Sequence, residues 1–125
     1  MTKVLVVDDS RLSRNLVSDA LTKAGYEVIE AINGQEGLEM YKQHQPDCIV
    51  TDLLMPVMTG QALLRCLRQE SVDVPILVLS SDIQHSSKAY CESLGISGFL
   101  NKPVLGSQLA KHVADALAQT QGAPT

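Results

Sequence analysis

Three aliphatic runs, beginning at Val4, Cys48 and Ile76, each break off at polar residues and give way to helically spaced segments. Runs of that kind suit strands covered on both faces, the condition of a parallel sheet flanked by helices. Residues 4–7 stop at Asp8-Asp9-Ser10, after which Leu12, Leu16, Val17, Ala20, Leu21 and Ala24 follow at helix period. Gly25 stands where a helix C-cap belongs, residues 26–31 read as a second strand, and Asn33-Gly34 turns the chain. A helix over about residues 35–43 ends before Pro46. Residues 48–53 form a third strand interrupted by Thr51 and Asp52, and Thr59 is placed to cap a helix over residues 60–69. A fourth strand at 76–79 leads to a helix at about 84–94, closed by Gly95, and then to a short strand at 98–101. The last helix, about 107–118, carries Leu109, Val113, Ala116 and Leu117 on one side. The pattern predicts an α/β domain, an open, doubly wound (βα)5 unit with a five-stranded parallel sheet over residues 1–118, and a flexible tail at 119–125. Connections are too short to hide a second domain.

Composition narrows the function. The 125 residues are 45% hydrophobic and 19% charged, which is globular rather than disordered. A net charge of −4 with no basic run argues against direct nucleic-acid binding. The longest strictly apolar run, residues 76–79, is far short of the roughly 20 residues of a membrane helix, so the sequence predicts a soluble, cytoplasmic protein. Cys48, Cys66 and Cys91 are scattered within apolar patterns and read as buried thiols, with no disulfide framework or zinc spacing. His44, His85 and His112 are equally dispersed and read as surface or helix-end residues.

Ligands of doubly wound sheets bind outside the carboxyl ends of the strands. There the sequence places Asp8-Asp9, Asp52, Ser80 and Lys102, whereas the second strand ends in Ala31-Ile32-Asn33. Singly, each has a structural explanation: Asp9-Ser10 can cap a helix, Ser80 can be a turn hydroxyl and Lys102 a solvated charge. Asp52 is harder to explain that way, because it is a carboxylate breaking an aliphatic strand. Carboxylates paired at 4 Å repel by roughly 4 kcal/mol at an effective dielectric near 20. Three of them carry −3, Lys102 returns +1, and a divalent cation closes the balance. The all-oxygen donor set favours Mg2+. A metal, a lysine and a hydroxyl around a carboxylate are also the equipment for phosphoryl transfer, with Asp52 as nucleophile and Ser80 and backbone N–H groups as further donors.

The segments Val6-Val7-Asp8-Asp9-Ser10, Asp52-Leu53-Leu54-Met55-Pro56-Val57-Met58-Thr59-Gly60, Leu79-Ser80-Ser81 and Phe99-Leu100-Asn101-Lys102-Pro103 resemble the receiver domain of two-component response regulators. The resemblance covers about residues 3–118. It implies a flavodoxin-like, CheY-like sheet of strand order 2-1-3-4-5. It further implies that Asp52 accepts a phosphoryl group from a sensor-kinase phosphohistidine or a phosphotransfer protein. Mg2+ would be bound by Asp9, Asp52 and the Leu54 carbonyl, with Asp8 acting through water and Lys102 pairing with phosphoryl oxygens. The bond from Lys102 to Pro103 is often cis in the family. Ser80 matches the switch hydroxyl and Phe99 the switch aromatic. The partner surface implied is the face of the fourth helix, fifth strand and fifth helix, around Tyr90, Phe99 and Lys111. The protein would then be a signalling switch rather than an enzyme, monomeric or dimerising on phosphorylation, and a single-domain regulator of the chemotaxis or phosphorelay kind.

Several positions depart from the family pattern. Thr59 replaces a common acid, Phe99 lacks the hydroxyl of the commoner Tyr, and Gly106 weakens the start of the last helix. Leu54 and Asp82 flank the acceptor and bear on the lifetime of the acyl phosphate. A haloacid-dehalogenase-type phosphohydrolase shares the parts but wants an acid where Leu54 stands, and there is no cap insertion. An FMN carrier lacks its phosphate loop and its aromatics here. A phosphate-independent interaction module on the same fold is the remaining alternative, against which the intact set Asp8, Asp9, Asp52, Ser80 and Lys102 argues.

Overall fold

The sheet is assembled from segments whose aliphatic side chains alternate between two covered faces. In the computed structural model, which describes residues 2–52, 59–70, 74–80, 85–102 and 106–121, strands and helices alternate along the chain. They are β1 (Lys3–Val7), α1 (Arg11–Lys23), β2 (Glu27–Ala31), α2 (Gly34–His44), β3 (Cys48–Asp52), α3 (Gly60–Gln69), β4 (Ile76–Ser80), α4 (His85–Ser93), β5 (Gly98–Asn101) and α5 (Gly106–Gln121). All strand pairs are parallel and their order is β2-β1-β3-β4-β5. Chain direction across the sheet reverses beside β1, so the carboxyl ends of β1 and β3 flank the switch point at which such sheets place their ligands.

One face of the sheet, with Leu5, Val7, Ile49, Ile76 and Val78, packs on Leu63, Leu64 and Leu67 of α3 and Cys91 of α4. The other, with Val4, Val6, Cys48, Val50, Leu77 and Leu79, packs on Val17 and Leu21 of α1 and on Leu109, Val113 and Ala116 of α5. A one-residue change of register would exchange the two sets, so the double burial holds the pairing in place. The edge strand β2 is polar on its exposed positions, Glu27 and Glu30, which discourages further pairing. No helix among the described residues is long and apolar enough to cross a membrane.

Helix starts are satisfied by side chains. Ser10 Oγ accepts from Ser13 N at 3.3 Å, Asn33 Oδ1 from Glu36 N at 2.8 Å and Thr59 Oγ1 from Ala62 N at 3.1 Å. The cap expected at Thr59 is therefore present. Gly25 and Gly95, at φ +98° and +77°, reverse the chain after α1 and α4 in a conformation that costs a side-chain-bearing residue energy.

Three expectations are corrected. Leu12 and Leu16 do not face the core but are 71% and 64% exposed. The buried stripe of α1 runs through Val17, Ser18 and Leu21, with the nearly buried Arg14 one turn earlier, so the helix is rotated away from its most apolar line. Helix α5 begins at Gly106 and continues through Gln121, which places residues 119–121 in the helix rather than in a tail. Of the three thiols, Cys48 and Cys91 are buried as expected, but Cys66 is half-buried, and all three are free.

Candidate phosphoryl and metal site

Four strand ends converge at one edge of the sheet. Asp8 follows β1 directly, Asp52 is the last residue of β3, Ser80 the last of β4, and Lys102 follows β5. Asp52 lies opposite Leu79 in the β3–β4 register and Ser80 opposite Asn101 in the β4–β5 register, which brings all these groups to the same level of the sheet. The Lys102 N–H donates to the Ser80 carbonyl at 2.9 Å, extending the β4–β5 ladder into the site.

Lys102 Nζ donates to Asp8 Oδ2 at 2.9 Å and to Asp52 Oδ2 at 3.2 Å. The partners are well shielded, with side-chain exposures of 4% for Asp8, 13% for Asp52 and 21% for Lys102. Burial alone would lower the Lys102 pKa, but the Asp8 hydrogen bond and the charges of Asp52 and Asp8 outweigh it, so the net shift is upward. Lys102 is therefore firmly cationic at neutral pH. The Ser80 side chain is fully buried. Thr51, also buried, donates its hydroxyl to the Asp52 carbonyl at 2.9 Å, tying down the strand end that carries the Asp52 carboxylate.

Asp8, Asp9 and Asp52 each bring a carboxylate oxygen to within 4.8 Å of the others. Asp9 is exposed while Asp8 is buried, so the cluster opens to solvent on the Asp9 side. With Lys102 counted, the four groups sum to −2. Oxygens bound side by side to a Mg2+ ion at about 2.1 Å stand about 3 Å apart, so the 4.8 Å spread of the cluster would have to contract around an ion. An all-carboxylate donor set with a residual double negative charge suits a hard divalent cation and offers nothing to a thiolate-seeking metal.

The expected site residues Asp8, Asp9, Asp52, Ser80 and Lys102 thus meet at one edge. Leu54, whose carbonyl was expected to join them, and Pro103, Met58, Ser81 and Asp82 lie outside the described residues. Phe99 is not in the acidic cluster; it sits beside Val78 in the register, half-buried, against the core face covered by α3 and α4. Tyr90 on α4 and Lys111 on α5 are exposed. Two residues adjoining the cluster were not anticipated. Arg14 donates from Nη1 to the Asp8 carbonyl at 2.8 Å and from Nε to Glu30 Oε1 at 2.9 Å. The signal available in sequence was the charged Arg14 three and seven residues before Val17 and Leu21, on the stripe that faces the sheet.

The response regulator receiver domain model matches residues 4–114, and the chain belongs to that family of two-component signalling switches. It is 32% identical to the chemotaxis protein CheY of Bacillus subtilis, covering 92% of this chain and 97% of that protein. It is 33% identical to the probable transcriptional regulator ycf27 of Porphyridium aerugineum over 97% of this chain, but spans only 50% of that relative's length. Among solved structures, chemotaxis protein CheY4 of Vibrio cholerae superposes with a TM-score of 0.86 at 37% identity, covering 93% of this chain and 98% of that one.

Proposed function

We propose that this receiver domain is a phosphoacceptor switch in which Asp52 takes a phosphoryl group from the phosphohistidine of a sensor kinase or phosphotransfer protein. A carboxylate oxygen of Asp52 attacks phosphorus in line, the P–N bond to the imidazole breaks, and the electron pair stays on that nitrogen, which solvent protonates. Asp9, Asp52 and the Leu54 carbonyl would hold Mg2+, with Asp8 acting through water. The ion would neutralise charge on the transferring oxygens. Lys102 already stands 3.2 Å from Asp52 Oδ2 and needs only a small movement to follow the added phosphoryl oxygens. The convergence of Asp8, Asp52 and Lys102 across three strands carries this reading, since a structural ion pair has no need of Asp9 beside it.

Phosphorylation replaces about one negative charge at Asp52 by nearly two. The buried Ser80 hydroxyl is the donor that answers it, and because the Lys102 N–H is bonded to the Ser80 carbonyl, a shift of β4 is passed directly to β5. Phe99 lies three residues before Lys102 on that strand, so the face of α4, β5 and α5, with exposed Tyr90 and Lys111, changes shape as the partner surface. Without the hydroxyl of a tyrosine, Phe99 distinguishes its two positions by packing alone. A net charge of −4 leaves contact with another protein, of the chemotaxis or phosphorelay kind, as the domain's own output.

Intact mass spectrometry after incubation with Mg2+ and acetyl phosphate tests the reading. One phosphoryl group on the wild type and none on Asp52→Asn is expected. If the two proteins carry equal adducts, Asp52 is not the acceptor. If neither protein carries an adduct and Mg2+ also fails to bind, the domain is a phosphate-independent interaction module.

A further inference from the structure

Arg14 is a cation on the sheet-facing stripe of α1, and its side chain is only 14% exposed. Withdrawing a guanidinium from water is costly unless its donors are used. Here two of them are spent on two different strand ends: Nη1 on the Asp8 carbonyl at 2.8 Å and Nε on Glu30 Oε1 at 2.9 Å. The Asp8 carbonyl belongs to the peptide unit that joins Asp8 to Asp9. That unit is planar, so holding its oxygen sets the plane from which the Asp9 Cα and carboxylate depart.

The rest of Asp8 is held as well. Its N–H donates to the Ala31 carbonyl at 3.1 Å, Oδ1 accepts from Ser10 N at 2.9 Å, and Oδ2 accepts from Lys102 Nζ at 2.9 Å. Asp9, in contrast, is exposed, and its direction depends on the backbone that carries it. Glu30 offsets the charge of Arg14 and, by holding Nε, aims Nη1 at the carbonyl. The pair therefore influences the acidic cluster through geometry rather than through added positive charge. We propose that Arg14, oriented by Glu30, is a positioning residue for the divalent-cation site, fixing the Asp8–Asp9 peptide and through it the Asp9 carboxylate. The proposal rests on the reading of Asp8, Asp9 and Asp52 as a Mg2+ site.

Charge and geometry separate in two conservative variants. Arg14→Lys keeps the charge, but a single ammonium does not reproduce the forked hold on two acceptors. Glu30→Gln removes a charge while its side-chain oxygen still accepts from Nε. Mg2+ affinity of the full chain is measured by calorimetry. The Asp9 amide is followed by 1H–15N NMR, and melting in EDTA is recorded for each variant. Loss of orienting groups around metal ligands typically weakens binding about 10-fold or more. Arg14→Lys is expected to lose about that much and to shift the Asp9 amide, while Glu30→Gln stays within about twofold of wild type. Arg14→Lys binding Mg2+ as tightly as wild type, or a loss in Glu30→Gln as large as in Arg14→Lys, overturns the positioning role. A wild type that binds no Mg2+ overturns the metal site itself, and this role with it.

Discussion

Replacing Lys102 by Met removes the ammonium that sits 2.9 Å from Asp8 Oδ2 and 3.2 Å from Asp52 Oδ2, and leaves two shielded carboxylates facing each other. At an effective dielectric near 20, the two contacts represent about 6 and about 5 kcal/mol of gross attraction. Desolvation of the ammonium, several kcal/mol, is set against that sum and is relieved in the variant. A net loss of about 3 kcal/mol is expected, at the low end for breaking a buried pair because Lys102 keeps 21% of its side chain in solvent. For a chain of this length that is a fall in melting temperature of roughly 10 °C. The chain has no Trp, so urea unfolding in EDTA is best followed by far-UV circular dichroism. The pH dependence is the sharper test. Lys102 has a folded pKa raised above its ordinary 10.5, so its stabilisation is fully present below that value and is lost only as pH rises through the higher folded one. The gap between wild type and variant should stay level from pH 7 to 10 and close above it. Adding Mg2+ should narrow the gap, because the cation returns positive charge to the same carboxylates. A variant as stable as wild type at pH 7, or a gap already closing at pH 9, would refute the account of Lys102 as the shielded counter-ion of this cluster.

Asp9→Asn should act in the opposite direction, since it relieves repulsion within the 4.8 Å carboxylate cluster from its solvent-open side. A gain of about 1 kcal/mol in EDTA is expected, using a dielectric between the surface and bulk values, together with loss of the Mg2+-dependent rise in melting temperature expected of the wild type. Thiol labelling near pH 8 should modify Cys66 in the folded protein while sparing Cys48 and Cys91 until urea is added. Cys48 is buried, and burial pushes its thiol up to about 12, so almost no thiolate is present at that pH. Labelling of Cys48 as fast as Cys66 would mean that β3 opens far more readily than its core position allows.

The two variants pull stability in opposite directions for the same reason. The cluster concentrates negative charge that the fold only partly compensates through Lys102, and the uncompensated part is what a bound divalent cation would neutralise. Removing Asp9 is expected to stabilise the domain in EDTA while weakening the proposed cation site, the usual trade between stability and a working site.

The alternation of strands and helices is legible along the chain alone, because aliphatic runs and helical spacing are local properties that hold wherever the chain is packed. It also placed Asp8, Asp9, Asp52, Ser80 and Lys102 at strand ends, since each follows or closes such a run. Tertiary structure decided what these residues do to one another. Lys102 is 94 residues from Asp8, and only the pairing of β1, β3, β4 and β5 puts its ammonium between two carboxylates. The rotation of α1 was likewise illegible from its leucines, for Leu12 and Leu16 continue the apolar spacing yet point outward. What turns α1 is the fit of Val17 and Leu21 onto Val4 and Val6 and the engagement of Arg14 with the Asp8 carbonyl and Glu30. Periodicity ranks the faces of a helix by their apolar content, whereas packing selects among them by shape and by where buried charges find partners.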